Sequence, residues 1–234
     1  MSGIIDRQPS LSKLILNLKN CYKVGNEGMK AITKSITNKT RLETLNLNYS
    51  RCEHLTEESM DYLKQALQEH KMLKTLLLIF TKRRKIFDSG FEMLCHGLAE
   101  LKELRELTLN ISRWNKITTT GFAHFKELLS SLQNLQLLEL SCRSNRFILG
   151  EGSIFLGEGL STLVNLKTLR LDLSKTLIGD LKFEQVFQGI SRLVNLEQFD
   201  IHLHDCRKIT NICLMHLFQA IGKLSRLISL GVDL

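Results

Sequence analysis

The sequence predicts an α/β fold, a curved right-handed solenoid of about eight β-α repeats with a parallel sheet inside and helices outside. One phrase, clearest as LKTLRLDL over 166–173, recurs along the chain. It opens at Leu11, Leu42, Leu73, Leu104, Leu135, Leu166, Leu196 and Leu227. These positions are 31 residues apart, except for one interval of 30 residues. Such a period is typical of stacked repeats, in which each unit buries its apolar face against the next.

Each repeat begins with a predicted β-strand. When the opening leucine is counted as position 0, positions 3, 5 and 7 are apolar, as in Leu76, Leu78 and Phe80. Alternation with a period of two predicts a strand with one buried face. Strands of successive repeats are therefore expected to lie side by side, one repeat apart.

A helix closes each repeat. Positions 21, 25 and 28 are apolar, as in Leu94, Leu98 and Leu101, and this spacing places them on one helical face. Thr56, Thr118 and Thr210 precede three of these stripes and are predicted N-caps. Repeat six has lost one residue, which we place within 176–179. Since strands stack at about 4.8 Å and helices at about 8–10 Å, the solenoid should bend with its strands on the concave face.

The period predicts one domain over 11–234, preceded by an N-terminal extension over 1–10. The last repeat stops at Leu234, inside its predicted strand, and neither end shows a polar capping unit. Two interpretations stay open. Either the chain is trimmed and its bare ends are tolerated, or one uncapped end packs on a partner or a second copy.

The loop after each strand carries a second signature. Position 10 holds Cys21, Cys52, Asn145 and Cys206, and the segments over 52–56 and 206–210 follow a C-x-x-[LI]-T pattern. This pattern resembles the leucine-rich repeat family, in particular its ribonuclease-inhibitor-like and cysteine-containing subclasses. The resemblance implies that these four side chains form a structural ladder, bonded inward to the backbone of neighbouring loops. Trp114 and Arg83 depart from the pattern and should interrupt that ladder.

Positive charge is concentrated in the loops that follow the strands. Positions 8 to 12 of seven repeats hold 14 lysines and arginines against two acidic residues, in a chain with a net charge of +8. We call the following set the basic edge: Lys82, Arg83, Arg84, Lys85, Arg113, Lys116, Arg143, Arg146, Arg207 and Lys208. Such an edge would attract an acidic partner. The alternative is a solvated polar rim without a partner.

The outward strand positions become charged in the later repeats. We call the following set the strand face, expected to be concave: Glu139, Arg170, Asp172, Asp200, His202, His204 and Asp233. Position 6 should place Asp172, His202 and Asp233 side by side. A histidine between two carboxylates more often forms hydrogen bonds than a metal site, so the prediction is a polar recognition patch. We predict no resident metal and no cofactor.

The sequence predicts no enzyme, because phosphate-binding, dinucleotide-binding, zinc-protease and nucleophile-elbow motifs are absent from it. The favoured function is a protein-protein interaction scaffold or adaptor. It would be a subunit of a larger intracellular assembly, such as a cytoskeletal or ciliary one. Its basic edge would bind an acidic protein surface.

Two alternatives use the same edge. The first is an RNA-associated subunit, in which Trp114, Tyr22 and Phe147 would stack on bases. The same aromatics could equally pack against their own loops. The second is a GTPase-activating regulator resembling the Ran-activating repeat proteins, for which Arg51 is the one suitably placed arginine. The longest apolar run is too short to span a membrane, and the six cysteines include no C-x-x-C pair. These features favour a cytoplasmic protein with reduced thiols.

Overall fold

The computed structural model describes residues 8, 10–82, 85–145 and 152–234. Across these residues, parallel strands form one open sheet in chain order, with β1 and β8 at its edges. The strands are Lys13–Asn17 (β1), Thr44–Asn48 (β2), Thr75–Ile79 (β3), Glu106–Asn110 (β4), Leu137–Ser141 (β5), Thr168–Asp172 (β6), Gln198–His202 (β7) and Ser229–Asp233 (β8).

A helix lies between each pair of consecutive strands. The helices are Asn26–Thr37 (α1), Glu57–Gln68 (α2), Asp88–Ala99 (α3), Thr119–Ser131 (α4), Gly152–Ser161 (α5), Asp180–Ile190 (α6) and Asn211–Ile221 (α7). Each helix packs against the helices before and after it, and each strand against its neighbouring strands. The predicted α/β solenoid is confirmed.

Strand register follows the sequence period. Leu14 pairs with Leu45 at an offset of 31 residues, whereas Leu169 pairs with Phe199 at an offset of 30 residues. The shortened repeat keeps its strand and begins its helix one residue early, at Asp180. Lys175 still occupies the usual left-handed loop position, so the missing residue lies within 176–179. A loop absorbs the deletion because a slip within the strand would reverse which side chains face the core.

One continuous core separates the sheet from the helices. The inward side chains of β2 to β7 are buried, as Leu78 in β3 and Phe80 just after it show with no measurable exposure, and so are most helical-stripe positions, such as Leu94 and Leu98. In the last strand, Leu230 is 41% exposed. Trp114 is also fully buried, and its ring packs edge-on against Phe80 and Phe91. Of the two roles that the sequence leaves open for Trp114, stacking on bases is ruled out, because its ring lies inside the repeat stack.

Position 10 of the repeat forms a hydrogen-bond ladder between loops. Four of its side chains donate to the position-7 carbonyl of the preceding repeat: Cys52 Sγ to Leu18 O at 3.1 Å, Trp114 Nε1 to Phe80 O, Asn145 Nδ2 to Ile111 O at 3.2 Å and Cys206 Sγ to Leu173 O at 3.2 Å. Trp114 was expected to interrupt this ladder and instead belongs to it. An indole N–H, an amide and a thiol can all donate, so the position requires a donor rather than one residue type.

Three position-10 residues differ from these four, namely Cys21, Arg83 and Thr176. Thr176 Oγ1 donates to Leu173 O of its own repeat at 2.7 Å. Cys21 is exposed, which corrects its assignment to the ladder. It follows β1, and the described sheet has no strand on the outer side of β1 to supply a carbonyl. Arg83 lies outside the described residues.

Two glycines allow α5 and α6 to approach closely. A Cβ at Gly189 would overlap the carbonyl group of Gly157, and a Cβ at Gly157 would overlap the carbonyl group of Gln185. Backbone atoms cannot move aside as a flexible side chain can. Close helix packing therefore requires glycine at both positions, and these glycines do not belong to a ligand-binding loop.

The helices are too short or too polar to span a bilayer. Over the part of the chain that the structure describes, no helix is long and apolar enough to cross a membrane.

Candidate interaction surface

The loop after each strand turns through a left-handed residue at position 9. These residues are Asn20, Arg51, Lys82, Arg113, Ser144, Lys175 and Asp205, with φ between 58° and 65°. The amides of five of them donate to a carbonyl of the next loop, as Lys82 N does to Ser112 O at 2.8 Å and Arg113 N to Arg143 O at 2.9 Å. The loops are thus fastened to one another. Their side chains stand in rows along one edge of the sheet.

The basic edge is exposed along most of its described length. Lys82, Lys85, Arg113, Lys116, Arg207 and Lys208 are exposed, Arg143 is half-buried, and Arg83, Arg84 and Arg146 lie outside the described residues. Lys82 is 3.5 Å from the Glu53 carboxylate, in an exposed ion pair. Such pairs are worth at most about 1 kcal/mol, so Lys82 can exchange Glu53 for another acidic group.

A depression of about 280 Å³ lies where the basic edge meets the strand ends. Four cationic side chains line it, from Arg51, Lys82, Arg113 and Arg143, together with one described acid, Asp172. Thr81, Asn110, Ser112 and Ser141 add hydroxyl and amide groups to the same walls. No carboxylate in the described ranges lies within 4.0 Å of the Arg51 or Arg113 guanidinium. The depression therefore presents unpaired positive charge beside hydrogen-bonding groups.

A hydrogen-bonded network joins the basic edge to the strand face. Arg143 Nη1 lies 2.6 Å from His204 Nε2, and His204 Nδ1 lies 3.3 Å from the Asp233 carboxylate. Asp233 also lies 3.1 Å from His202 Nδ1. The hydrogen bond from His202 holds the pKa of Asp233 below its ordinary value, and His204 adds to that effect. Asp233 is thus an anionic anchor that orders two imidazoles.

The position-6 row is aligned but does not converge. Asp172, His202 and Asp233 are partners in strand register, as predicted. The Asp172 carboxylate, however, accepts from Ser141 Oγ at 3.1 Å and from the Ser174 amide at 3.0 Å. The remaining strand-face ion pair joins Arg170 to Asp200 at 3.2 Å, and Glu139 stays exposed beside Arg170. The strand-face side chains therefore form a polar patch.

The C-terminal end of the stack presents apolar surface. Met215 and Phe218 on α7 are each 58% exposed, and Ile228 before β8 is 83% exposed. A separate depression of about 350 Å³ in the last repeat is lined in part by Leu203, Ile209, Leu214 and Leu234. An end-on partner at this surface stays a prediction.

A third group of polar side chains was not predicted. Glu92 and His96 on α3 meet His124 on α4, on the outer helix face and away from the basic edge. The one-turn spacing of Glu92 and His96 is visible in the sequence, but nothing in it marks His124 as their neighbour.

Comparison with known proteins supports the fold and no closer relationship. No protein-family model and no curated protein sequence matches the chain. A structure of the actin-binding site 2 of leiomodin-1 is 18% identical with a TM-score of 0.51, covering 69% of this chain and 86% of that chain. The tropomodulin C-terminal domain of Caenorhabditis elegans is 12% identical with a TM-score of 0.51, covering 69% of this chain and 90% of that chain. With the parallel sheet, these likenesses confirm a leucine-rich-repeat-type fold, whereas the ribonuclease-inhibitor-like subclass stays a prediction.

Proposed function

We propose that this protein is a non-enzymatic interaction scaffold that binds an acidic protein segment where its basic edge meets its strand face. The observation that carries the proposal is the depression lined by Arg51, Lys82, Arg113 and Arg143, with Asp172 as its one described acid. Carboxylates of a partner would find fork-shaped donors there.

The backbone around the depression favours recognition of a preformed shape. The amides of Lys82 and Arg113 are bonded to the following loops, so binding would order side chains rather than the main chain. Interfaces that need little ordering lose less conformational entropy on binding. The excess positive charge would also accelerate association with an acidic surface.

The structural comparisons support a cytoskeletal partner. One similar structure is described as an actin-binding site, and the second is a tropomodulin domain. We therefore propose an actin-containing or actin-like assembly as the first partner class to test. The free state of all six cysteines agrees with a reducing cytoplasm, where we place this function. Neither likeness bears on a ciliary location, which stays a prediction.

The RNA-associated alternative has less support from the described residues. Trp114 is inside the core, and Phe147 lies outside the described residues. Tyr22 is 54% exposed and remains the one described aromatic of the three that can stack on a base. The GTPase-activating alternative depends on Arg51, which is exposed on its loop.

The test compares two double variants. Lys82→Ala with Arg113→Ala removes two cations from the depression, whereas Lys102→Ala with Arg105→Ala removes two exposed cations from the turn between α3 and β4. The probes are actin filaments in co-sedimentation, a fluorescent polyglutamate peptide and a single-stranded RNA. We expect the first variant to weaken filament and peptide binding about tenfold, because each of the two lost exposed charged contacts removes up to about 1 kcal/mol. The second variant should bind as the wild type does.

Two outcomes would overturn the proposal. Equal binding by both variants would remove the depression from the interaction. Binding of RNA alone, with a steep dependence on salt, would replace the protein partner with nucleic acid.

A further inference from the structure

Three side chains of metal-binding types meet between two neighbouring helices. Glu92 and His96 are one turn apart on α3, so they share one face of that helix. His124 lies on α4 directly beside them. One ligand atom from each residue lies within 4.8 Å of the other two, and the His96 and His124 rings stand 5.9 Å apart, edge to face.

The chemistry of this set favours a transition metal over calcium or magnesium. Two imidazole nitrogens with one carboxylate oxygen suit zinc and its neighbours, whereas calcium and magnesium prefer oxygen ligands alone. Ligand atoms bound to one zinc ion at about 2.0–2.1 Å stand roughly 3.3 Å apart. Closing from 4.8 Å needs only side-chain rotations, because His96 is exposed while Glu92 and His124 are half-buried.

The surroundings of His124 match those of a metal ligand. Its Nε2 faces the Glu92 carboxylate at 3.8 Å, and its Nδ1 faces the Glu127 carboxylate at 3.6 Å. Nδ1 is buried and has no hydrogen-bond partner among the described residues. A metal-bound histidine typically donates its second N–H to a carboxylate, which holds the ring in place. Glu127 stands where that carboxylate belongs.

We propose that Glu92, His96 and His124 bind one divalent transition-metal ion, most favourably zinc, on the outer face of the helix layer. Nε2 of His124 is the ligand atom and Glu127 is a positioning residue. Water or a partner group completes the coordination. Because the ligands come from both α3 and α4, the ion fastens two successive repeats together.

Cys95 does not belong to this set. Its side chain is almost wholly buried beneath the helix face, and it is not among the three side chains whose ligand atoms converge. The proposed site therefore has nitrogen and oxygen ligands and no thiolate. The absorption spectrum of bound cobalt distinguishes these two kinds of ligand set.

The test uses the full chain after treatment with a chelator. Isothermal titration with Zn²⁺ should give one site, and Co²⁺ should give visible absorption without a thiolate charge-transfer band. His96→Gln or His124→Gln should each weaken Zn²⁺ binding at least about tenfold, while Glu127→Gln weakens it less and keeps the stoichiometry. Zn²⁺ should raise the midpoint of thermal unfolding of the wild type more than that of either histidine variant.

The matched control is His216→Gln. His216 on α7 lies 4.0 Å from the Glu184 carboxylate, and its buried Nδ1 also has no described hydrogen-bond partner. It is therefore a histidine-carboxylate pair outside the proposed site, and its loss should leave Zn²⁺ binding unchanged. The proposal is overturned if the wild type binds no Zn²⁺, if both histidine variants bind as the wild type does, or if Co²⁺ shows a thiolate band. Circular dichroism of each variant separates loss of the site from loss of the fold.

Discussion

Arg143 and His204 are hydrogen-bonded at 2.6 Å although they are two repeats apart in the stack. The intervening repeat has Ser174 at the equivalent position, and its small side chain leaves room for the contact. A guanidinium group can only donate, so Nε2 of His204 must accept. The ring proton is therefore on Nδ1, which faces Ser174 Oγ at 3.1 Å and the Asp233 carboxylate at 3.3 Å.

This arrangement predicts the tautomer of one histidine. Long-range ¹H–¹⁵N correlation spectra of the imidazoles should show neutral His204 with its proton on Nδ1. Arg143→Ala removes the donor to Nε2, so His204 should then populate both neutral tautomers. Arg207→Ala, one exposed arginine further along the basic edge, should leave the His204 signals unchanged. A His204 proton on Nε2 in the wild type would contradict the assignment.

A second prediction concerns a cap that links two repeats. Asp180, at the start of α6, accepts from the Thr210 amide at 2.8 Å and from the Thr210 hydroxyl at 2.7 Å. Desolvation would raise the pKa of Asp180, but these hydrogen bonds favour the carboxylate and leave the pKa below its ordinary value. Asp180→Asn should lower the free energy of unfolding by about 1 kcal/mol at neutral pH, a modest figure because the group is well solvated.

The sign of the pH dependence follows from the lowered pKa. The contribution of Asp180 to the free energy of unfolding is present above the unfolded-state pKa of about 3.9. It is lost as the pH falls through the lower folded-state pKa. In urea unfolding, the difference between wild type and Asp180→Asn should therefore shrink as the pH drops below about 4. The control is Asp61→Asn, which removes a carboxylate that accepts a hydrogen bond from the Gln65 side chain. It should lower the free energy of unfolding by less than about 0.5 kcal/mol. A difference that is constant with pH would contradict the assigned role.

A third prediction tests the close contact of α5 and α6. Gly189→Ala should lower the free energy of unfolding by about 1–3 kcal/mol, because the new methyl group meets the Gly157 backbone. Gly222→Ala is the matched control. Its φ is −59° and its nearest atom is 3.4 Å from the added Cβ, so it should be neutral or slightly stabilising. Equal effects in chemical denaturation would argue against the close approach.

A fourth prediction separates the two faces of α7. Leu217 is fully buried, and Leu217→Ser should lower the free energy of unfolding by about 2–5 kcal/mol. Phe218 is 58% exposed, and Phe218→Ser should change the free energy of unfolding by less than about 0.5 kcal/mol. If the exposed face instead packs on a partner or a second copy, Phe218→Ser should lower the mass measured by light scattering. A monomeric wild type would remove the second-copy interpretation.

Much of the architecture could be predicted because each repeat sees nearly the same neighbours. Leu76, Leu78 and Leu94 have counterparts one period away, so burial and register follow from the spacing alone. The loop positions were harder to interpret. From the sequence, Trp114 looked like an exception to the ladder. It belongs to the ladder because its indole N–H donates the hydrogen bond that a cysteine or an asparagine donates elsewhere.

By itself, the sequence determined the repeat unit, the order of its elements, the place of the missing residue and the loops that carry positive charge. These properties depend on periodicity, which is local and is repeated along the chain. The tertiary structure decided which groups pair, namely Arg143 with His204 across Ser174, and His124 with Glu92 and Glu127. Those pairings depend on side-chain reach across stacked repeats, a distance that spacing along the chain does not encode.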